Sequence, residues 1–138
     1  MQYSASCRCG KIKVTLVISQ PIENFQPRQC DCDFCQSYDL IFISEPEGKL
    51  LIVTQTDVIQ LKQGSEQAKF WQCTSCQQIV AVSCEIAGNL KGTANANLFA
   101  QSHKLKTPVV VSPKLLSPEQ KRDRWAKAWL SFSPELND

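Results

Sequence analysis

Ser6-Cys-Arg-Cys-Gly10, Cys30-Asp-Cys-Asp-Phe-Cys35 and Cys73-Thr-Ser-Cys76 hold seven of the eight cysteines in this 138-residue chain. Clusters this short, repeated three times, are what a zinc protein needs. A structural zinc takes four ligands in a tetrahedron, whereas a catalytic one keeps three and leaves a position open. Seven thiols divide naturally as four plus three. Only Cys30, Cys32 and Cys35 offer three ligands from one loop. The pairs Cys7/Cys9 and Cys73/Cys76, more than sixty residues apart, would then close a four-thiolate site and tie distant segments together.

Other uses of these thiols fit less well. Disulfides belong to oxidising compartments, and Met1-Gln-Tyr-Ser-Ala-Ser6 shows neither the basic nor the apolar region of a secretion signal. A redox Cys-x-x-Cys stands alone beside a βαβ pattern, not next to two further clusters. Four-thiolate iron–sulfur ligation is the alternative to zinc. No apolar run approaches the ~18 residues of a membrane span. The expectation is therefore one soluble, cytoplasmic domain over 1–138, long enough to bury a core.

Charge argues against a nucleic-acid partner. The formal net charge is +2 with every cysteine neutral. Seven thiolates on two Zn²⁺ bring seven negative charges against four positive ones, which lowers +2 by three, to −1. The lysines and arginines are scattered. The densest stretch, Lys121-Arg-Asp-Arg124, carries its own acid, so the basic face that tracks a phosphate backbone is missing.

Most of the chain reads as strand. Ile12, Val14, Leu16 and Ile18 alternate with polar residues, the pattern of a half-buried strand. Leu40–Ile43, Leu50–Thr54 and Val58–Leu61 are short branched runs, and Glu45-Pro-Glu-Gly48 reads as a hairpin turn between the first two. Lys69–Gln72 leads into the last cysteine pair and Ile79–Ile86 leads away from it. Thr107–Ser112 is a further strand. In extended backbone the two sulfurs of Cys7-x-Cys9 would share a face, with Gly10 free to take positive φ behind them. Cys73-x-x-Cys76 suits a tight turn.

One helix is predicted, near the C-terminus. Ser117-Pro-Glu-Gln120 combines an N-cap, a first-turn proline and a capping-box glutamine. Trp125, Ala128, Trp129 and Phe132 then share a face that docks on the sheet. Cys84 falls on the apolar face of the Ile79–Ile86 strand and reads as core, not as a fourth ligand to the triplet. Asp31 and Asp33 read as solvated loop acids and His103 as a surface residue.

The order Ser-x-Cys-x-Cys-Gly, Cys-x-Cys-x-x-Cys and Cys-x-x-Cys resembles the family of glutathione-dependent formaldehyde-activating enzymes, which includes centromere protein V. The resemblance spans about residues 5–100 and leaves the strand and helix of 101–138 with little counterpart. It implies a mainly β, Mss4-like zinc-binding fold. It also implies a structural zinc on Cys7, Cys9, Cys73 and Cys76, and a catalytic zinc on Cys30, Cys32 and Cys35. The family's reaction adds glutathione to formaldehyde, a carbon–sulfur lyase step in reverse. Where family members often carry Lys or Arg after the triplet, this chain has Gln36, Ser37 and Tyr38; the family's glycine after the last pair is Gln77.

Two functions follow from this reading. In the first, an open triplet site holds a small thiol as its thiolate and adds it to an aldehyde, with a backbone N–H or Tyr38 facing the oxyanion. Lacking basic residues after Cys35, such an enzyme is expected to prefer a thiol less acidic than glutathione. In the second, the same fold is a non-enzymatic zinc-binding module that contacts a protein partner.

Overall fold

The structure, a computed structural model, describes residues 1–62 and 67–136. The chain opens with β1 (Gln2–Ser6) and β2 (Ile12–Val17), an antiparallel hairpin. The alternation read from the sequence is obeyed: Ile12, Val14 and Leu16 are 0–1 % exposed, whereas Lys13 and Val17 face outward. After a 3₁₀ turn come β3 (Arg28–Cys30) and the five-residue α1 (Asp33–Ser37). Then follow β4 (Lys49–Thr54), β5 (Val58–Lys62), β6 (Lys69–Cys73), β7 (Ile79–Ile86) and β8 (Asn89–Ala94). Two 3₁₀ turns lead to β9 (Val109–Val111), and α2 (Pro118–Ala128) to β10 (Leu130–Leu136).

The fold is mainly β. Eight strands form one sheet in the order β1-β2-β4-β10-β8-β7-β6-β5, and β3 pairs with β9 in a separate parallel ribbon. Within the large sheet only β10 and β4 run parallel among the described residues. The last strand is thus a central one, between β4 and β8. Two glycines admit it. A Cβ on Gly92 would collide with the Phe132 ring and the Val82 carbonyl, and one on Gly48 would sit 2.7 Å from Leu130 Cδ2. Phe132 in turn packs on Trp71, ring centroids 5.2 Å apart, and the Trp71 indole N–H donates to Ser83 Oγ at 2.8 Å. A buried indole keeps its hydrogen bond this way.

Four expectations change. Leu40–Ile43 is not a strand: Phe42 makes isolated bridges to Arg28 and Asn95, while Leu40, Ile41 and Ile43 are buried. Those bridges use up Phe42's backbone groups, so β4 finds its partners in β2 and β10 and the Glu45–Gly48 turn closes no hairpin. The predicted helix has its capping box, with Ser117 and Gln120 bonded reciprocally. It stops at Ala128, however, because Trp129 is already extended, and Phe132 belongs to β10. Lastly, the triplet segment read as a loop contains the short helix α1; the stretch after 101, for which the resemblance has little counterpart, supplies β10, which joins the two halves of the sheet.

Candidate metal centre

Cys7, Cys9, Cys73 and Cys76 converge, their Sγ atoms all within 4.8 Å of one another. Each pair sits on a turn. The first lies between β1 and β2, where Gly10 N–H donates to the Cys7 carbonyl and Gly10 takes φ +79°. The turn brings the two sulfurs to 3.5 Å, so it is a turn, and not the pleat of an extended strand, that aims them together. The second lies between β6 and β7, where Gln77 N–H donates to the Cys73 carbonyl. Gln77 adopts φ +63°, a left-handed conformation that costs a non-glycine residue roughly 1–2 kcal/mol. The glycine expected by resemblance would suit that place better.

In sheet order four strands separate β2 from β6, yet Cys9 Sγ and Cys73 Sγ are 3.5 Å apart. The sheet curls until its turns meet. Arg8 N–H donates to Gln78 Oε1 and Lys11 Nζ to Ser75 Oγ across the same junction.

Cys30, Cys32 and Cys35 form the second convergent group, again with sulfurs within 4.8 Å. Cys30 ends β3, fixed by its register against Val111 of β9. Cys32 caps α1, its sulfur accepting the Cys35 N–H at 3.4 Å, and Cys35 lies one turn into that helix, buried. No disulfide joins any of these cysteines; a disulfide needs sulfurs at ~2.05 Å. Sulfurs placed ~2.3 Å from one zinc in a tetrahedron stand ~3.8 Å from each other. The observed spacing fits such an ion. Both groups are compatible with metal, and with zinc in particular.

Within each group the thiols shift one another's protonation. A hydrogen bond from Cys35 holds the Cys30 thiol down at about 6, and the same bond, with burial, pushes Cys35 well up. In the four-thiol group burial pushes Cys76 up, but the backbone N–H groups of Gln78 and Cys9 and the thiols of Cys7 and Cys73 bring it to about 6.

The surroundings of the two groups differ. The triplet opens on a cavity of about 310 Å³. Phe34 and Phe42 line it near the triplet, Phe70 and Val82 from the sheet, and Trp125 and Trp129 from the α2 side. The two indoles stack at 4.7 Å, 10° from parallel. The charged lining residues are Asp33, Lys114 and Lys121. Lys114 Nζ lies 3.9 Å from Asp31 Oδ1, and Ser112 Oγ donates to the other Asp31 oxygen. Asp31 is therefore partly buried and engaged, contrary to the reading of it as a solvated acid, while Asp33 is exposed.

Other candidates lie elsewhere. Cys84 is 3 % exposed and does not converge with the triplet. Its sulfur accepts from Arg122 Nη1 at 3.4 Å, and burial pushes its thiol up. His103 is exposed on a 3₁₀ turn and does not line the cavity. Tyr38 does not line it either; its hydroxyl accepts from Gln72 Nε2 at 3.5 Å, which leaves the suggested oxyanion role without support. Sequence reading missed Lys114, Lys121 and the sheet-borne wall. Their only signal was Lys121 standing four residues before Trp125, on one helical face.

No protein-family model matches the chain, and no curated protein matches it. Among solved structures, the crystal structure of a Rhodobacter sphaeroides protein, a structural genomics target, is similar with a TM-score of 0.53. The match covers 72 % of this chain and 88 % of that one at 19 % identity. Likeness at that level concerns the fold alone.

Proposed function

We propose that this protein is a zinc-dependent carbon–sulfur lyase acting in the direction of addition, joining a small thiol to an aldehyde in the cytoplasm. Zinc on Cys7, Cys9, Cys73 and Cys76 is structural, and zinc on Cys30, Cys32 and Cys35 is catalytic. One observation carries the reading: the three-thiol group, and not the four-thiol one, opens on an aromatic cavity. The resemblance of the cluster order to glutathione-dependent formaldehyde-activating enzymes supports it from a separate direction.

When bound at the triplet, the metal supplies an open position where a thiol ionises at neutral pH. The chain does the rest. Cys30 and Cys32 are held by the β3–β9 register and the start of α1, and with Cys35 they line the cavity where they would hold the ion. The aromatic walls exclude water from the reacting pair. The thiolate sulfur forms a bond to the carbonyl carbon, the C=O π pair moves to oxygen, and the proton the thiol gave up returns there.

The test is elemental analysis of zinc per chain, location of each ion by anomalous scattering, and NMR of thiol–aldehyde adduct formation. Two zinc ions, with catalysed adduct formation that is lost in Cys32→Ser, is the expected result. A filled triplet with no acceleration for any thiol sinks the reading and leaves a zinc module for protein partners as the better account.

A further inference from the structure

The cavity is far larger than a formaldehyde-sized substrate and a two-carbon thiol require. We propose that the thiol it accepts carries a flat, uncharged aromatic body; this rests on the thiol-binding reading above. The volume of about 310 Å³ matches ten waters at roughly 30 Å³ each. A minimal thiol and aldehyde would leave much of it as water lying against Phe42, Phe70, Val82, Trp125 and Trp129. An apolar cavity of about 150 Å³ already takes up benzene, so one aromatic ring with its methylene and sulfur fits beside an aldehyde.

Shape and charge agree on the kind of body. Trp125 and Trp129 both line the space and stack on each other, so a ligand ring would meet an edge or an outer face of the pair, both favourable aromatic contacts. The charges at the lining offset one another. Lys114 is engaged by Asp31, and the other two charged liners, Lys121 and Asp33, have opposite signs. Among the described lining residues, the cysteines apart, the side-chain charges therefore offset one another. A tripeptide thiol with two carboxylates, an amine and two amides would press polar groups on aromatic walls and lose their hydration without replacement bonds.

The experiment titrates the zinc-loaded full chain with phenylmethanethiol, 2-mercaptoethanol, glutathione and benzyl alcohol, read by calorimetry and tryptophan fluorescence. Phenylmethanethiol should bind at least tenfold more tightly than 2-mercaptoethanol, since it buries a ring the smaller thiol lacks. Trp125→Ala should cancel about that factor in the ratio of phenylmethanethiol to 2-mercaptoethanol affinity, and Trp125→Phe should restore most of it. Trp125 is only partly buried on α2, and circular dichroism checks that the variants fold. If 2-mercaptoethanol or glutathione binds as tightly as phenylmethanethiol, the aromatic specificity is overturned while thiol binding stands. The specificity falls in the same way if Trp125→Ala weakens all thiols alike. If benzyl alcohol binds but no thiol does, the cavity accepts rings and it is the thiol-binding function that falls.

Discussion

The two cysteine groups offer the same donor atom in opposite settings. Four thiols from the β1–β2 and β6–β7 turns meet across a curled sheet, in contact with the main core through Cys7, Cys73 and Cys76. Three thiols from a single short segment meet beside a second, smaller cluster that includes Leu40, Phe70, Val82 and Trp129. The first group joins segments 64 residues apart, so an ion there closes a long loop. An ion at the triplet joins residues already neighbours in sequence and closes almost nothing. On the proposed function, metal in the first place would act on folding, and metal in the second on whatever enters the cavity.

Cys73→Ser is the hardest blow to that contrast. Structural zinc contributes on the order of 10 kcal/mol to small zinc domains, comparable with the whole of the usual stability of about 5–15 kcal/mol. The variant should lose the four-thiol metal and unfold at 25 °C by circular dichroism. If it stays folded with one zinc gone, the group is not structural.

Cys32→Ser should do far less to the fold. Serine caps α1 at least as well as cysteine does, so stability should change by only about 1–2 kcal/mol in urea melts. One zinc per chain should disappear with it. Unfolding as severe as that of Cys73→Ser would erase the division between the two sites.

A chelator series should resolve them without mutation. The triplet ion, held by three ligands at an open cavity, should leave at a lower chelator concentration, with circular dichroism unchanged. The second ion should leave only together with the fold. Simultaneous release at one concentration would mean that the sites are coupled or alike.

The finest test touches one turn. Gln77 holds φ +63° beside the four-thiol group. Gln77→Gly removes a left-handed cost of roughly 1–2 kcal/mol and adds back roughly 0.5–1 kcal/mol of unfolded-state entropy. A net gain of about 0.5–1 kcal/mol in stability follows from denaturant melts, with zinc content unchanged. A loss would show that the Gln77 side chain carries more than its backbone suggests.

Much of this was legible from residues alone, and the legible part is local. Cysteine spacing of one or two residues brings sulfurs together through a single turn, so the triplet and each pair could be read without a fold, whereas the two pairs meet only because the sheet curls. Alternation in β2 and the capping box of α2 are likewise set by neighbours a few residues apart. Phe132 shows the limit. At spacings of three and four it reads as helical, yet Trp129 turns extended because β10 gains ladder bonds on both sides, to β4 and β8.

The sequence by itself determined which thiols group together, that the chain is mainly β, and where its helix near the C-terminus begins. Only the tertiary structure decided that the tail is a central strand, that Asp31 is engaged by Ser112 and Lys114, and that the triplet faces an aromatic cavity. The cavity's walls come from segments as distant as Phe34, Phe70 and Trp129. No local pattern specifies such a surface, because curling the sheet and inserting β10 bring its parts together only when the whole chain has folded.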